Sequence, residues 1–298
     1  MDDAFTRSLT GSSTEPVVRL SRAFAAPASE VWSAITDPAR LARWLGTIDG
    51  EPASGAFLLR VVDAPDQPAH VRVEHCAPER SLRLAWQWEG EAPSRLSAMV
   101  DGDETHTVLT LEHRLGEATY AHDYGGGWEQ HLTELAGLWP GAPAVGPVNS
   151  TGGDGPWRGL VERALTVEID IAAERSDVWT ALATEAGLRR WWWRHWDDVS
   201  IVADVCAGNV YRFTAPGAGI TVSGEYIDVE PEEHLSFTWQ WSDESGTSTD
   251  ESCDIRLTDS SHGCRVTVRH TGPWSDDTAA IAYRQGWEFV LSELASTR

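Results

Sequence analysis

The sequence predicts an α+β fold built twice in tandem, each copy a curved antiparallel sheet wrapped around a long C-terminal helix. Three observations carry that prediction. The chain repeats itself in order, each repeat reads as alternating strands, and each repeat closes on a helix with a single apolar face. At 298 residues the chain can hold two domains with a core apiece.

The repeat is direct. "FAAPASEVWSAITDPARLARW" (24–44) matches "IAAERSDVWTALATEAGLRRW" (171–191) without a gap, so Trp32 pairs with Trp179 and Trp44 with Trp191. "APERSLRLAWQW" (77–88) matches "EPEEHLSFTWQW" (230–241), and "VLTLEH" (108–113) matches "RVTVRH" (265–270). "YGGGWEQHLTEL" (124–135) matches "YRQGWEFVLSEL" (283–294). Residues 139–158, "WPGAPAVGPVNSTGGDGPW" and the residue after it, are dense in Gly and Pro and read as a linker. The expected organisation is therefore a disordered tail over 1–14, one domain over 15–138, the linker, and a second domain over 159–298.

Each element has its own signal. An opening strand ("VVRLSRAFA", "ALTVEIDIA") leads to a short helix, with Ser29-Glu30 and Ser176-Asp177 as expected polar caps. A second helical turn ends at Trp44 or Trp191. In "LRLAWQW", alternation sends Leu82, Leu84, Trp86 and Trp88 to one face; "LSFTWQW" repeats this with Leu235, Phe237, Trp239 and Trp241. One sheet face is thus aromatic and the other polar. The closing helix places Tyr124, Trp128, His131, Leu132 and Leu135 on its inner face, matched by Tyr283, Trp287, Val290, Leu291 and Leu294. Glu129 and Glu288 fall toward solvent on that pattern. The stretch "SDESGTSTDES" (242–252) reads as a solvated hairpin loop.

Composition narrows function. A net charge of −23 argues against nucleic acid and anionic membranes as partners. All 23 basic residues are arginine, which removes Schiff-base catalysis, a phosphate-loop lysine and a lysine general base. The N-terminal stretch has no apolar segment of a signal peptide, no run approaches a membrane span, and the scattered Cys76, Cys206, Cys253 and Cys264 suggest reduced thiols. A cytoplasmic location is expected, with no metal and no cofactor.

Together, "S-E/D-V-W…L…W", "P-E-x-x-L-x-x-x-W-x-W", "T-x-x-H" and "G-W-x-x-x-L-x-x-L" resemble the START-like helix-grip (SRPBCC) superfamily. More narrowly they resemble its branch named after the activator of the heat-shock chaperone ATPase. The resemblance covers most of both repeats. It implies tandem helix-grip domains, each with a cavity between helix and sheet for apolar or aromatic ligands; relatives include binding proteins, polyketide aromatase/cyclases and chaperone assistants. Fold analogy does not choose among these.

The candidate ligand-binding residues are Trp44, Trp86, Trp88, Trp128, Trp191, Trp192, Trp193, Trp239, Trp241 and Trp287, which either fill the core or wall a pocket. His113 and His270 should face inward by strand alternation. With His131, Tyr124 and Tyr283 they are the candidates for proton transfer, or else satisfied core residues. If chemistry occurs, the first pocket, with His113 and His131 together, is favoured. "WWWRHW" (191–196) opens a six-residue insertion in the second copy. Three consecutive helical residues span about 200°, so Trp192, Trp193 or Trp196 should line a pocket mouth or an interface: a lid, an interdomain seam or a dimer contact.

The expected function is binding of a hydrophobic, aromatic or polyketide-like small molecule, with cofactor-independent cyclase or aromatase chemistry as an extension. A chaperone-associated adaptor acting through its surface is the rival, with a homodimer or a chaperone as partner. A purely structural pair of packed domains is the third reading.

Overall fold

The computed structural model describes residues 5–139 and 155–297. Its contacts divide the chain into two units, Met1–Arg7 with Ser13–Gly153 and Ser8–Ser12 with Asp154–Arg298. Among the described residues no helix is long and apolar enough to cross a membrane.

The first unit contains β1 (Phe5–Gly11, in part), β2 (Pro16–Phe24), α1 (Ala28–Thr36), α2 (Pro38–Leu41), β3 (Gly46–Asp49), β4 (Ala56–Val61), β5 (Ala69–Ala77), β6 (Ser81–Gln87), β7 (Ser94–Gly102), β8 (Thr107–Arg114) and α3 (Ala121–Ala136). Its sheet runs β2-β8-β7-β6-β5-β4-β3, antiparallel throughout. The second contains α4 (Pro156–Glu162), β9 (Leu165–Ile171), α5 (Arg175–Ala183), α6 (Glu185–Leu188), β10 (Ser200–Ala203), β11 (Val210–Ala215), β12 (Ile220–Glu230), β13 (His234–Asp243), β14 (Gly246–Thr247), β15 (Glu251–Ser260), β16 (Gly263–Thr271) and α7 (Asp277–Ser296). Its sheet order is β10-β11-β12-β13-β15-β16-β9, with β14 on β13. The predicted α+β helix-grip class holds in both units.

The helices bury the faces their periodicity prescribes: Trp128, His131, Leu132 and Leu135 in α3, and Trp287, Val290, Leu291 and Leu294 in α7. The shared tryptophans act as pillars. Trp44 donates its indole N–H to the Ala34 carbonyl and Trp191 does the same to Ala181, both at 2.9 Å. Each ties the second helical turn to the first. Even a bulge recurs, between Val73 and His75 in β5 and between Tyr226 and Asp228 in β12.

Several expectations fail, each for a physical reason. Residues 5–11 are a strand, not a disordered tail: the Leu9 and Gly11 amides donate to Ser252 Oγ and Asp254 Oδ2 within the second unit. Most of the expected linker, 140–154, lies outside the described residues, and α4 already begins at Pro156. The caps of α1 and α5 are Pro27 and Glu174 without side-chain bonds, so Ser29 and Ser176 sit inside their helices. Side-chain caps occur one helix later, where Asp37 accepts from the Arg40 amide and Thr184 from that of Gly187. Glu129 is 7% exposed rather than solvated, because Arg7 grips both its oxygens at 2.8 Å.

Candidate functional site

In the first unit the space between helix and sheet is open. A cavity of about 520 Å³ is walled by Trp44, Phe57, Leu84, Trp86, Leu111 and Trp128, and no charged side chain lines it. That is within the usual size of a small-molecule site, and its walls are nearly all hydrocarbon. It exists because small residues meet on adjacent strands: Val73 of β5 faces Leu84 of β6.

The equivalent register in the second unit joins Tyr226 of β12 to Phe237 of β13. Their rings lie 6.1 Å apart, and Tyr211 and Phe213 of β11 add two more. Tyr211 lies across Gly224, where a Cβ would stand 2.8 Å from its ring and 2.0 Å from the Thr238 carbonyl oxygen. The first unit has Val71 at that position, lining the cavity instead.

The tryptophan run completes this filling. Trp191, Trp192 and Trp193 are 0, 5 and 6% exposed and belong to one core, contrary to the expectation that three adjacent indoles could not share it. The expectation assumed a continuous helix. Instead α6 ends at Leu188, the chain turns, and Trp193 takes the left-handed region at φ +51°. Trp192 thereby reaches Phe213, Trp239 and Trp287 at 5.2, 6.1 and 5.7 Å. Trp192 and Trp193 are therefore packing material for the second core, while Arg194 and His195 beyond them are exposed.

Both strand histidines face inward as predicted, and both are buried, at 1 and 0% exposure. Trp128 of α3 donates its indole N–H to His113 Nδ1 at 3.0 Å, and Trp287 of α7 donates to His270 Nδ1 at 3.1 Å. Indole is donor only, so each imidazole carries its proton on Nε2. In the first unit that proton goes to Ser94 Oγ at 2.9 Å, and Ser94 donates onward to the Trp86 carbonyl at 3.0 Å. His113 is fully satisfied, and burial holds its pKa down to about 3.

In the second unit the position of Ser94 is taken by Glu251, buried at 4% exposure. It accepts from Trp274 Nε1, Tyr283 OH and Ser248 Oγ, each at 2.7 Å. Burial raises its pKa above the ordinary carboxylate value. His270 Nε2 stops 4.0 Å short of it and has no hydrogen-bond partner; burial takes the imidazole pKa to about 3. The Gly, Ser and Asp content of 242–252 places Glu251 in a solvated loop, whereas β15 begins at Glu251 and alternation along it sends that side chain inward opposite Trp239.

The remaining candidates flank α3 and α7. Tyr124 donates to Glu91 Oε2 at 2.7 Å, as Tyr283 does to Glu251. Burial, then the carboxylate, pushes the Tyr124 hydroxyl pKa up; the same two causes act on Tyr283. His131 is buried beside Trp128, with Asp63 and Glu134 at 3.8 and 3.9 Å, and burial lowers its pKa. Trp88 and Trp241 are half-buried neighbours of these tyrosines' grooves. All four cysteines are free. Asp228, Glu230 and His234 could converge on a cation, but His234 Nε2 already bonds buried Asp254 at 2.6 Å.

Comparison with known proteins agrees with this architecture. The sequence model of the family described as "Activator of Hsp90 ATPase homolog 1-like protein" matches residues 25–139 and 172–297. No curated protein sequence matches. Among solved structures, CalU16 from Micromonospora echinospora is 28% identical, covering 48% of this chain and 88% of its own, with a TM-score of 0.42. DynU16, a protein of the dynemicin biosynthetic locus, is 17% identical over 93% of this chain and 97% of its own, at 0.37. The Aha1 dimer from Colwellia psychrerythraea is 20% identical over 44% and 92%, at 0.36.

Proposed function

The chain belongs to the Activator of Hsp90 ATPase homolog 1-like family over both of its repeats, and from that premise we propose that it binds a hydrophobic, aromatic or polyketide-like small molecule in the cavity of the first domain. The observation that carries this reading is the contrast between the copies. One interior holds about 520 Å³ of open, uncharged space, while the other is filled by Tyr211, Phe213, Tyr226, Phe237 and Trp192. An adaptor working only through its surface would have no use for a hollow that sacrifices packing in one copy.

Binding is favoured over cyclase or aromatase chemistry. Both ring nitrogens of His113 are engaged and its protonation is suppressed, so it orients Trp128 in the cavity wall rather than shuttling protons. A division into two domains, one per repeat, and a cytoplasmic setting that keeps the free thiols reduced, complete the proposal.

The test is titration of tryptophan fluorescence with a polycyclic aromatic probe such as pyrene butanol, on the protein and on the double variant Val73→Tyr/Leu84→Phe. That variant gives the first domain the second domain's ring pair. Saturable quenching in the parent that disappears in the variant supports the reading; equal behaviour of the two overturns it.

A further inference from the structure

A further hollow lies beside the helix tryptophan in each domain. In the first it measures about 360 Å³ and is lined by Trp86, Trp88, Tyr120, Tyr124 and Trp128, with the carboxylates Glu91 and Asp123. In the second it measures about 450 Å³ and is lined by Trp192, Trp239, Trp241, Tyr283 and Trp287, with Asp243. Four ring positions correspond one to one. So does a helix glycine, Gly127 in one groove and Gly286 in the other, where an added Cβ would meet nothing within 4 Å.

Several polar hydrogens of this lining are already committed. The hydroxyls of Tyr124 and Tyr283 donate to Glu91 and Glu251. Trp128 and Trp287 spend their N–H on histidines, and Trp241 spends its own on Asp243 Oδ2 at 2.8 Å. The indole nitrogens of Trp86, Trp192 and Trp239 are buried without a hydrogen-bond partner. The space is faced chiefly by ring π-surface, with carboxylate oxygens beside it. Asp243 is kept ionised by donors from Ser245 and Trp241, which lower its pKa. No arginine lines either groove, and the single histidine, His131, is kept neutral by burial.

Such a surface repels anions and attracts a diffuse positive charge through ring quadrupoles and nearby carboxylates. We propose that these two grooves are paired sites for an organic cation, a protonated amine or quaternary ammonium group. The net charge of −23 favours approach of such a ligand. The proposal does not rest on the apolar-cavity reading, because the second domain carries the groove with its interior filled.

The experiment is calorimetric titration with choline, against its neutral isostere 3,3-dimethylbutan-1-ol, on the full chain and on Gly127→Leu, Gly286→Leu and the double variant. Leucine fills the groove from a helix position where glycine is the poorer helix former, so folding is preserved, as circular dichroism of each variant verifies. Two choline sites are expected in the parent, one in each single variant and none in the double. The isostere should bind at least about tenfold more weakly, the scale of a desolvated cation–π contact. Equal affinity for alcohol and cation overturns the proposal, as does a stoichiometry indifferent to both glycines or an absence of saturable binding. The pyrene titration with Val73→Tyr/Leu84→Phe reads the other cavity, so either result can fail alone.

Discussion

Ser94 and Glu251 occupy the same strand position in the two domains, each paired across the ladder with its own tryptophan, Trp86 or Trp239. The serine closes a hydrogen-bond chain that runs Trp128 to His113 to Ser94 to the Trp86 carbonyl. The glutamate gathers three donors and leaves His270 Nε2 alone. One substitution within a duplicated frame has separated a closed network from an open one.

Ser94→Ala should therefore strand a buried imidazole N–H. The expected loss is about 1–3 kcal/mol, read as a lower urea midpoint for the first domain. An unchanged midpoint would mean that His113 finds another acceptor.

Acid should weaken both domains through the same histidines. Their folded pKa lies near 3 against an ordinary 6.5, so the unfolded chain takes up protons first as the pH falls. Their contribution is complete above about pH 6.5 and declines toward about pH 3. Glu251 shifts upward instead and adds stability on acidification, partly offsetting His270. Urea unfolding at successive pH values should show the first domain as the more acid-sensitive, and replacing His113 with Gln should flatten its slope.

Opening the second interior should reverse its filling. Tyr226→Val with Phe237→Leu removes two of the rings that occupy it, at a cost of about 3–5 kcal/mol. The variant should gain a second saturable site for the polycyclic probe. A loss of stability without new binding would show that the tryptophan run collapses into the space.

The Arg7–Glu129 pair is bidentate and buried. Glu129→Gln leaves a guanidinium without its full counter-charge and should destabilise the first domain by about 3–5 kcal/mol. Arg7→Met with Glu129→Leu should recover most of it. Thermal melts of the three proteins decide the point.

Much of this architecture is legible in the residues. Trp44 and Trp191 aligned without a gap and proved to be matching pillars; the inner faces of α3 and α7 followed from spacing alone. His113 and His270 pointed inward because strands alternate. The failures share a cause, the use of local signals where tertiary context decides. The acidic 242–252 stretch looked solvated, yet alternation along β15 turns Glu251 inward among three donors. Three tryptophans in a row could enter one core because the helix on which the angular argument stood ends at Leu188 and the chain turns, with Trp193 left-handed. The open cavity depended on which strand residues face each other, Val73 with Leu84 and Tyr226 with Phe237. That register needs the position of a bulge, which no periodicity shows.

The indole-to-imidazole bonds of Trp128 and Trp287 give the molecule a built-in pair of reporters. Of 16 tryptophans, these two donate to a deshielding ring nitrogen in a solvent-free setting, so their indole protons should resonate apart from the rest and exchange slowly. One line belongs to each domain. Proton magnetic resonance can thus follow the melting, ligation or acid response of either half without a label.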